Sequence, residues 1–131
     1  MYRIDQRPSG YVLTFSGKIE AAEMQQWKND SIKVLSGENR PSFGVIIDMK
    51  DLQPLSTESK DIMVSGQKLY KTKGMKRSAV ILNSPEVTAQ FKNLALISGI
   101  YSTERYIDAS TKTNPADLAI KWVKDGIDPD K

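Results

Sequence analysis

The stretch GVIIDMKDLQPLSTES, residues 44–59, decides the fold of this chain. It opens with an uninterrupted apolar run, residues 44–47, which ends at Asp48 among polar neighbours. Continuous apolarity over so few residues is typical of a strand that is buried on both faces of a sheet. A loop over residues 49–55 follows, and residues 56–59 then open a helix whose N-cap is either Ser56 or Thr57. A buried strand that leads through a short loop into a helix predicts an α/β fold.

On the amino-terminal side of this stretch, the sequence predicts a hairpin and a helix. Two strand-like runs, residues 2–6 and 11–16, are joined by a Pro/Gly turn at residues 7–10, which is typical of an antiparallel hairpin. Apolar residues at helical spacing then predict a helix over residues 20–35. The polar triplet at residues 29–31 leaves open whether this helix is broken into two pieces.

On the carboxyl-terminal side, helices and strands alternate. The helix that opens at residues 56–59 extends to about residue 73 and has one apolar face. Four more elements follow: a strand over residues 78–82, a helix that begins at residues 83–86 and ends at Gly99, a strand over residues 105–108, and a helix that begins at residues 114–115 and ends at Gly126. In the first of these two helices, the residues expected to face the core are Val87, Phe91, Leu94, Ala95 and Ser98.

The predicted order of elements is therefore β-β-α-β-α-β-α-β-α. Strict alternation after the hairpin implies parallel strands that are joined by crossover helices. We predict an α/β fold with a mixed, mostly parallel sheet of four to five strands, an N-terminal antiparallel hairpin and about four helices. The 131 residues suit one domain, so we interpret residues 1–126 as a single domain and residues 127–131 as a short flexible tail.

The sequence contains no cysteine and no histidine. Disulfides, cysteine zinc sites and thiol nucleophiles are therefore excluded, as are imidazole general acid–base catalysis and imidazole metal ligation. A magnesium or calcium site would have to be built from oxygen ligands alone. We accordingly expect no catalytic residues, no metal site and no cofactor, and we predict that the protein is not an enzyme.

The charge and hydropathy pattern limits which kinds of partner and which cellular location we expect. The net charge of +3, from 19 basic and 16 acidic residues, is too small for the footprint of a nucleic-acid-binding protein. The N-terminus lacks the apolar core of a signal peptide, and no apolar run is long enough to span a membrane. We expect a soluble, cytoplasmic protein with no nucleic-acid partner.

One group of polar residues stands where α/β sheets bind ligands. Asp48 ends the predicted strand at its carboxyl edge, and Ser56, Thr57, Glu58 and Ser59 start a helix at the same edge. The helix dipole and the free amides would favour a phosphate there. From the residues alone we favour structural roles, since turn hydrogen bonds explain Asp48 and helix capping explains one hydroxyl and the acid.

Two other groups of residues have ordinary structural explanations. A basic run near the end of the same helix consists of Lys68, Lys71, Lys73, Lys76 and Arg77. Cations are stabilised at a helix C-terminus, so we favour this role over a basic surface for acidic lipid or nucleic acid. The second group is Met24, Met49, Met63 and Met75 with Trp27 and Trp122. Methionine commonly fills gaps in a core, so we favour packing over an apolar cavity.

The residues around the third strand resemble those of STAS domains. In that family an apolar strand ending in Asp leads through a short loop to an Asp-Ser-Ser-Gly-like helix start. Residues 45–52, VIIDMKDL, resemble this strand and loop, and residues 55–59, LSTES, resemble the helix start. The family includes sporulation anti-sigma-factor antagonists and the cytoplasmic domains of anion transporters. Residues 105–108, RYID, and 119–123, AIKWV, are similar to the SpoIIAA-like branch, whose small bacterial proteins share some similarity with CRAL-TRIO lipid-binding domains.

The chain departs from the family at the position that the antagonists phosphorylate. Carried onto this sequence, that position falls on Glu58. A serine kinase cannot modify a carboxylate, although the carboxylate would imitate a constant negative charge. A shift by one residue would place Thr57 or Ser59 there instead, so it stays open whether either is phosphorylated.

The resemblance implies a non-enzymatic STAS-like regulatory domain that acts through protein–protein interaction. We predict that its protein partner, whose identity stays open, binds the loop and helix start around residues 48–59, with Asp48, Ser56, Thr57, Glu58 and Ser59 as the site residues. The alternative is a small protein that holds an apolar ligand or lipid between sheet and helices, as in the SpoIIAA-like/CRAL-TRIO type. The oligomeric state stays open as well.

Overall fold

Strands and helices follow the predicted order in the computed structural model, which describes all 131 residues. The elements are β1 (Tyr2–Arg7), β2 (Gly10–Gly17), α1 (Ala21–Ser36), β3 (Phe43–Leu52), α2 (Thr57–Lys73), β4 (Met75–Leu82), α3 (Pro85–Ser98), β5 (Glu104–Asp108) and α4 (Pro115–Asp125), with a 3₁₀ turn at Ile100–Ser102. One sheet has the order β1-β2-β3-β4-β5, in which β1 and β2 are antiparallel and the other neighbours are parallel. The predicted fold class is therefore confirmed.

The third strand is longer than the sequence predicts. β3 extends to Leu52, so the prediction of a loop over residues 49–55 is wrong for residues 49–52, and Asp48 lies inside the strand rather than at its end. Asp51 and Leu52 still pair with the end of β2 beyond a shift in register. This pairing keeps polar residues in an extended strand, which the local sequence does not reveal.

The first helix is continuous, so the break considered at residues 29–31 does not occur. Ser31 is buried, and its Oγ atom lies 2.7 Å from the hydroxyl of Tyr70 on α2. Serine disturbs a helix mainly when its side chain competes for backbone groups. A partner on the neighbouring helix removes that competition.

The main core lies between one face of the sheet and the helices α1 and α2. Trp27 of α1 is completely buried. Its ring meets Phe15 of β2 edge-on at a centroid distance of 5.1 Å and lies nearly parallel to Tyr70 at 6.3 Å. Met24 and Met63 are buried in the same cluster. The interpretation of these methionines and Trp27 as packing residues is confirmed.

α1 and α2 approach each other closely because α2 has no side chain at Gly66. A Cβ atom at this position would lie only 2.2 Å from Cζ3 and 2.5 Å from Cη2 of Trp27. Both distances are shorter than any real van der Waals contact. Since Phe15 and Tyr70 flank the same indole ring, the ring cannot turn aside without disturbing the centre of the core.

We predict that Gly66→Ala lowers the free energy of unfolding by about 1–2 kcal/mol, measured by urea denaturation. Overpacking of a dense core costs about 1–3 kcal/mol, which exceeds the gain in helix propensity of about 1 kcal/mol. Gly37→Ala is the matched control, because a Cβ atom there comes no closer than 3.8 Å to its nearest neighbour. If Gly66→Ala is as stable as wild type, the close packing described here is wrong.

The opposite face of the sheet is covered by α4, which contacts β3, β4 and β5. The buried residues of this second core are Ile46, Ala79, Ile81, Ile107, Ala119, Trp122 and Val123. Trp122 also donates a hydrogen bond from Nε1 to the carbonyl oxygen of Ser78 at 3.0 Å. Ile46 belongs to this second core and Ile47 to the first. β3 is therefore buried on both faces, as its apolar run predicts.

The third helix is much more exposed than the sequence predicts. α3 lies at the edge of the sheet and contacts mainly β5 and the 3₁₀ turn. Ala95 is its only buried residue, and the half-buried Phe91 meets the ring of Tyr106 at 6.0 Å. Leu94 is 62% exposed and Val87 is exposed too, so the prediction that they face the core is wrong. An edge position leaves only a narrow stripe of the helix covered.

A charged network ties the segment before β3 to the β1–β2 turn. The guanidinium of Arg40 donates to both carboxylate oxygens of Glu38 and to the carbonyl oxygens of Arg7 and Pro8, at 2.7–3.2 Å. The hydroxyl of Tyr11 donates to Glu38 at 2.5 Å. Glu38 is nearly buried. The hydrogen bonds from Arg40 lower the pKa of the Glu38 carboxyl to about 2.

We predict that Glu38→Gln lowers the free energy of unfolding at pH 7 by about 2 kcal/mol, because it leaves the partly buried Arg40 without its carboxylate. A lowered pKa means that the stabilisation is present above the ordinary value of 4.5 and is lost as the pH falls towards about 2. The difference between wild type and variant should therefore vanish over this range in denaturation measured at several pH values. Lys18→Gln, which breaks an exposed ion pair with Glu20, should change stability by less than about 0.5 kcal/mol.

Candidate functional site

The start of α2 is capped by Ser56. Its Oγ atom accepts a hydrogen bond from the backbone N–H of Ser59 at 3.1 Å, and Glu58 lies in the first turn of the helix. A hydroxyl N-cap and an acid near the positive end of the helix dipole both stabilise a helix start. The capping role favoured from the sequence is confirmed for Ser56.

The four polar residues at this helix start differ sharply in exposure. Ser59 is completely buried, and its hydroxyl donates to the carbonyl oxygen of Ile19 at 3.4 Å. Ser56, Thr57 and Glu58 are exposed. The Ser59 hydroxyl is therefore part of the buried interior. Of the two hydroxyls considered for phosphorylation, only that of Thr57 is exposed to solvent.

Asp48 does not lie with these residues. Side chains alternate between the two faces of a strand, so Asp48 shares a face with Ile46, which packs against α4, whereas α2 covers the other face. Its carboxylate accepts a hydrogen bond from the backbone N–H of Lys50 at 3.2 Å and pairs with the Nζ atom of Lys50 at 2.6 Å. The bond to Asp48 in turn raises the pKa of Lys50. Asp48 has no hydrogen bond or ion pair with residues 56–59.

The exposed surface near the start of α2 therefore differs from the predicted one, since it lacks Asp48 and the buried Ser59. It consists of Gln53, Pro54, Ser56, Thr57 and Glu58, all of which are exposed, and we call it the α2-start surface. Between them, Leu55 is half-buried and packs against the main core. Pro54 restricts the backbone, and Leu55 anchors the segment, so this surface has a fixed shape.

The basic run does not form one surface. Lys68, Lys71 and Lys73 lie on α2, whereas Lys76 and Arg77 lie on β4, which begins earlier than predicted. Arg77 donates from Nη2 to the carbonyl oxygen of residue 124 at 3.3 Å. It therefore stabilises the C-terminus of α4 on the other side of the sheet.

A cavity of about 20 Å³ lies beneath α2, lined by five hydrophobic residues and by Gln67, Ser78 and Glu104. Burial raises the pKa of Glu104. This volume is enough for one water molecule, whereas sites for small organic ligands occupy about 300–1,000 Å³. In this conformation there is no room for a lipid between α2 and the sheet.

Sequence reasoning missed a second polar cluster, centred on Arg105 at the start of β5. The guanidinium of this buried arginine contacts the rings of Tyr101 and Trp122. Asp128, in the C-terminal tail (residues 127–131), pairs with Arg105 at 2.9 Å. A sequence signal was present, since Arg105 shares an alternating strand face with the apolar Ile107. An arginine at such a position needs an acidic or aromatic partner.

A second tail carboxylate also reaches the body of the protein. Asp130 pairs with Lys92 of α3 at 3.1 Å and accepts a hydrogen bond from the hydroxyl of Tyr101. The segment predicted as a flexible tail thus makes two ion pairs. The mobility of the tail in solution stays a prediction.

Two further observations concern sites of other kinds. No group of three or more acidic side chains is arranged to hold a metal ion. None of the helices combines the length and the apolarity needed to cross a bilayer.

Comparison with known proteins identifies the fold. No protein-family model matches the chain, and no curated protein matches it. The chain is similar to a solved structure of an uncharacterized protein from Shewanella loihica PV-4. That protein is from the DUF3478 family and has a SpoIIAA-like fold. The TM-score is 0.60 at 17% sequence identity, over 94% of this chain and 92% of that chain. The chain therefore has a SpoIIAA-like fold, and this expectation from the sequence is confirmed.

Proposed function

We propose that the chain is a non-enzymatic regulatory domain that binds a protein partner through the α2-start surface. The observation that carries this proposal is that four adjacent residues have two different roles. Ser56 and Ser59 make the hydrogen bonds that hold the helix start, whereas Thr57 and Glu58 are exposed and make no side-chain contact that the fold requires. Polar side chains on a rigid, exposed element are well placed for recognition.

The chemistry of the surface supports a protein rather than a substrate. The first turn of a helix has unpaired backbone amides and a partial positive charge, so it can bind a carboxylate, a carbonyl or a phosphate of a partner. The chain has no histidine or cysteine to serve as a base or a nucleophile. Asp48 is not part of the proposed surface, because it faces the opposite side of the sheet.

We predict that Thr57→Ala/Glu58→Ala abolishes capture of at least one protein by the full chain, measured by quantitative affinity purification from cells of the source organism. Both side chains are exposed, and loss of the Glu58 charge near the helix dipole should lower the free energy of unfolding by no more than about 1 kcal/mol. Gln26→Ala/Lys33→Ala, on the exposed face of α1, is the matched control and should retain every captured protein. If the α2-start variant captures the same proteins as the control, the surface assignment is wrong.

Thr57 is the position at which this surface would be switched by phosphorylation. Its hydroxyl is exposed at the first helical residue, where a phosphate is stabilised by the helix dipole. Buried Ser59 is out of reach of a kinase. We predict that peptide mapping of phosphorylated protein purified from cells finds the phosphate on Thr57 and none on Ser59. Phosphate on Ser59 would contradict the native packing of this turn.

A second candidate function is binding of a small apolar ligand or lipid, and the exposure of α3 favours it. Leu94 is 62% and Ile97 is 76% exposed, with Leu96 and Ile100 exposed nearby, which is unusual for a monomeric surface. The cavity beneath α2 is too small for such a ligand. We predict that native mass spectrometry shows the protein without a bound lipid. A co-purified lipid would favour the second.

A further inference from the structure

A second candidate binding site lies at the start of β5, where the C-terminal tail crosses the molecule. At its centre is the guanidinium of Arg105, whose side chain is only 9% exposed. Its central carbon lies 3.8 Å from the centroid of the Tyr101 ring and 4.2 Å from that of Trp122. The faces of both rings attract the cation. These contacts hold the planar group in one orientation.

The body of the protein holds one side of this guanidinium, and the tail binds the other. Nη1 donates to the carbonyl oxygens of Tyr101 and Glu104. Nε and Nη2 donate to the two carboxylate oxygens of Asp128 at 2.9 and 3.2 Å. Two parallel bonds of this kind are the geometry with which arginine recognises a carboxylate. Without the tail, the guanidinium would keep its ring contacts and carbonyl bonds and would present an open carboxylate-binding edge.

The tail places a second carboxylate on a second cation. Asp130 pairs with Lys92 and accepts the hydrogen bond from Tyr101, so the sequence Asp-Pro-Asp contacts both β5 and α3. The bonds from Arg105 hold the pKa of Asp128 below its usual value. Pro129 between the acids limits the conformations of the free tail. The site therefore selects two carboxylates two residues apart on a stiff segment.

The tail does not fill the groove that it occupies. Beside Asp130 lies a cavity of about 140 Å³ whose walls include Lys92 and Lys112. Lys112 makes no ion pair. Asp108, also in the wall, already accepts hydrogen bonds from Ser110. Space and a lysine without an ion-pair partner are thus available to a segment that is longer than the tail, beside the carboxylate of Asp108.

We propose that the carboxylate-binding edge of Arg105, together with the cavity whose walls include Lys92 and Lys112, binds an acidic peptide segment of a partner protein. We call these two adjoining parts the tail groove. The C-terminal tail occupies the groove until such a segment displaces it. The proposal goes beyond the function proposed above, because the tail groove involves β5, α3 and α4 rather than the start of α2. The tail itself is the argument for the occupant, since it shows that a segment with Asp-x-Asp spacing fits.

Competition with the tail makes the proposal measurable. A short covalent tether gives a binding segment an effective concentration in the millimolar range. A free peptide with the same sequence therefore binds the wild-type chain weakly, because it must displace the tail. Weakening the tail should raise the affinity for the free peptide by about tenfold or more.

The test uses the full chain with Asp128→Asn/Asp130→Asn, which removes the tail carboxylates and leaves the groove intact. The probe is a synthetic peptide with the sequence of residues 126–131, and a second peptide has both aspartates replaced by asparagine. Binding is measured by titration calorimetry and by tryptophan fluorescence, which comes from Trp27 and from Trp122, the ring that Arg105 contacts. We expect the double variant to bind the acidic peptide at least tenfold more tightly than wild type, and the asparagine peptide to bind neither protein.

Two further variants keep the result interpretable. The single variant Asp130→Asn retains the Arg105–Asp128 pair, so it remains folded even if the double variant does not, and its affinity should lie between the other two. Gln26→Ala/Lys33→Ala, on the exposed face of α1, should bind the acidic peptide as wild type does, since these residues lie outside the tail groove. Equal binding of both peptides, or no gain in affinity in folded variants, would overturn the proposal. The tail would then be a structural clasp only.

Discussion

The burial of β3 on both faces is the constraint on which the rest of the structure depends. Its side chains alternate between the α1–α2 core and the α4 core, so both layers of helices are positioned by one strand. Burying apolar surface contributes about 25 cal/mol per Å², and a strand with two apolar faces gains this on both sides. The α2-start surface and the tail groove lie at the ends of helices that these two cores hold in place.

Close packing against this strand depends on small residues as much as on large ones. Gly44 of β3 faces α4, where an added Cβ atom would lie 2.7 Å from the Cβ atom of Val123. Gly66 gives Trp27 the same room on the other side of the sheet. Each glycine lets a helix lie directly against its neighbour, so the sheet and its two helical layers form a rigid support. A rigid support fixes the exposed residues at its edges, which favours recognition with little loss of conformational entropy.

The sequence predicts the elements of this fold well because hydrophobic periodicity and capping are local. The order of elements along the chain, a hydroxyl N-cap at Ser56 or Thr57 and the end of α2 near residue 73 are predicted from a few neighbouring residues. The errors arise where tertiary contacts override local pattern. Pairing with β2 extends β3 past Asp48, and the edge position of α3 leaves Leu94 outside the core. The candidate site was predicted only in part, because the sequence does not show which face of the sheet α2 covers, and Asp48 lies on the other face. The tail groove joins residues distant in the chain.

The absence of histidine bears on how binding of the tail in the tail groove would respond to pH. A histidine titrates near neutral pH and would make an ion pair sensitive to modest acidification, but this chain has none. The hydrogen bonds from Arg105 hold the pKa of Asp128 below its usual value. Protonation of Asp128 would weaken the pair only in acid, as the pH falls through that lowered pKa. Near neutral pH a change in protonation therefore does not release the tail, which is consistent with the proposed competition by another carboxylate.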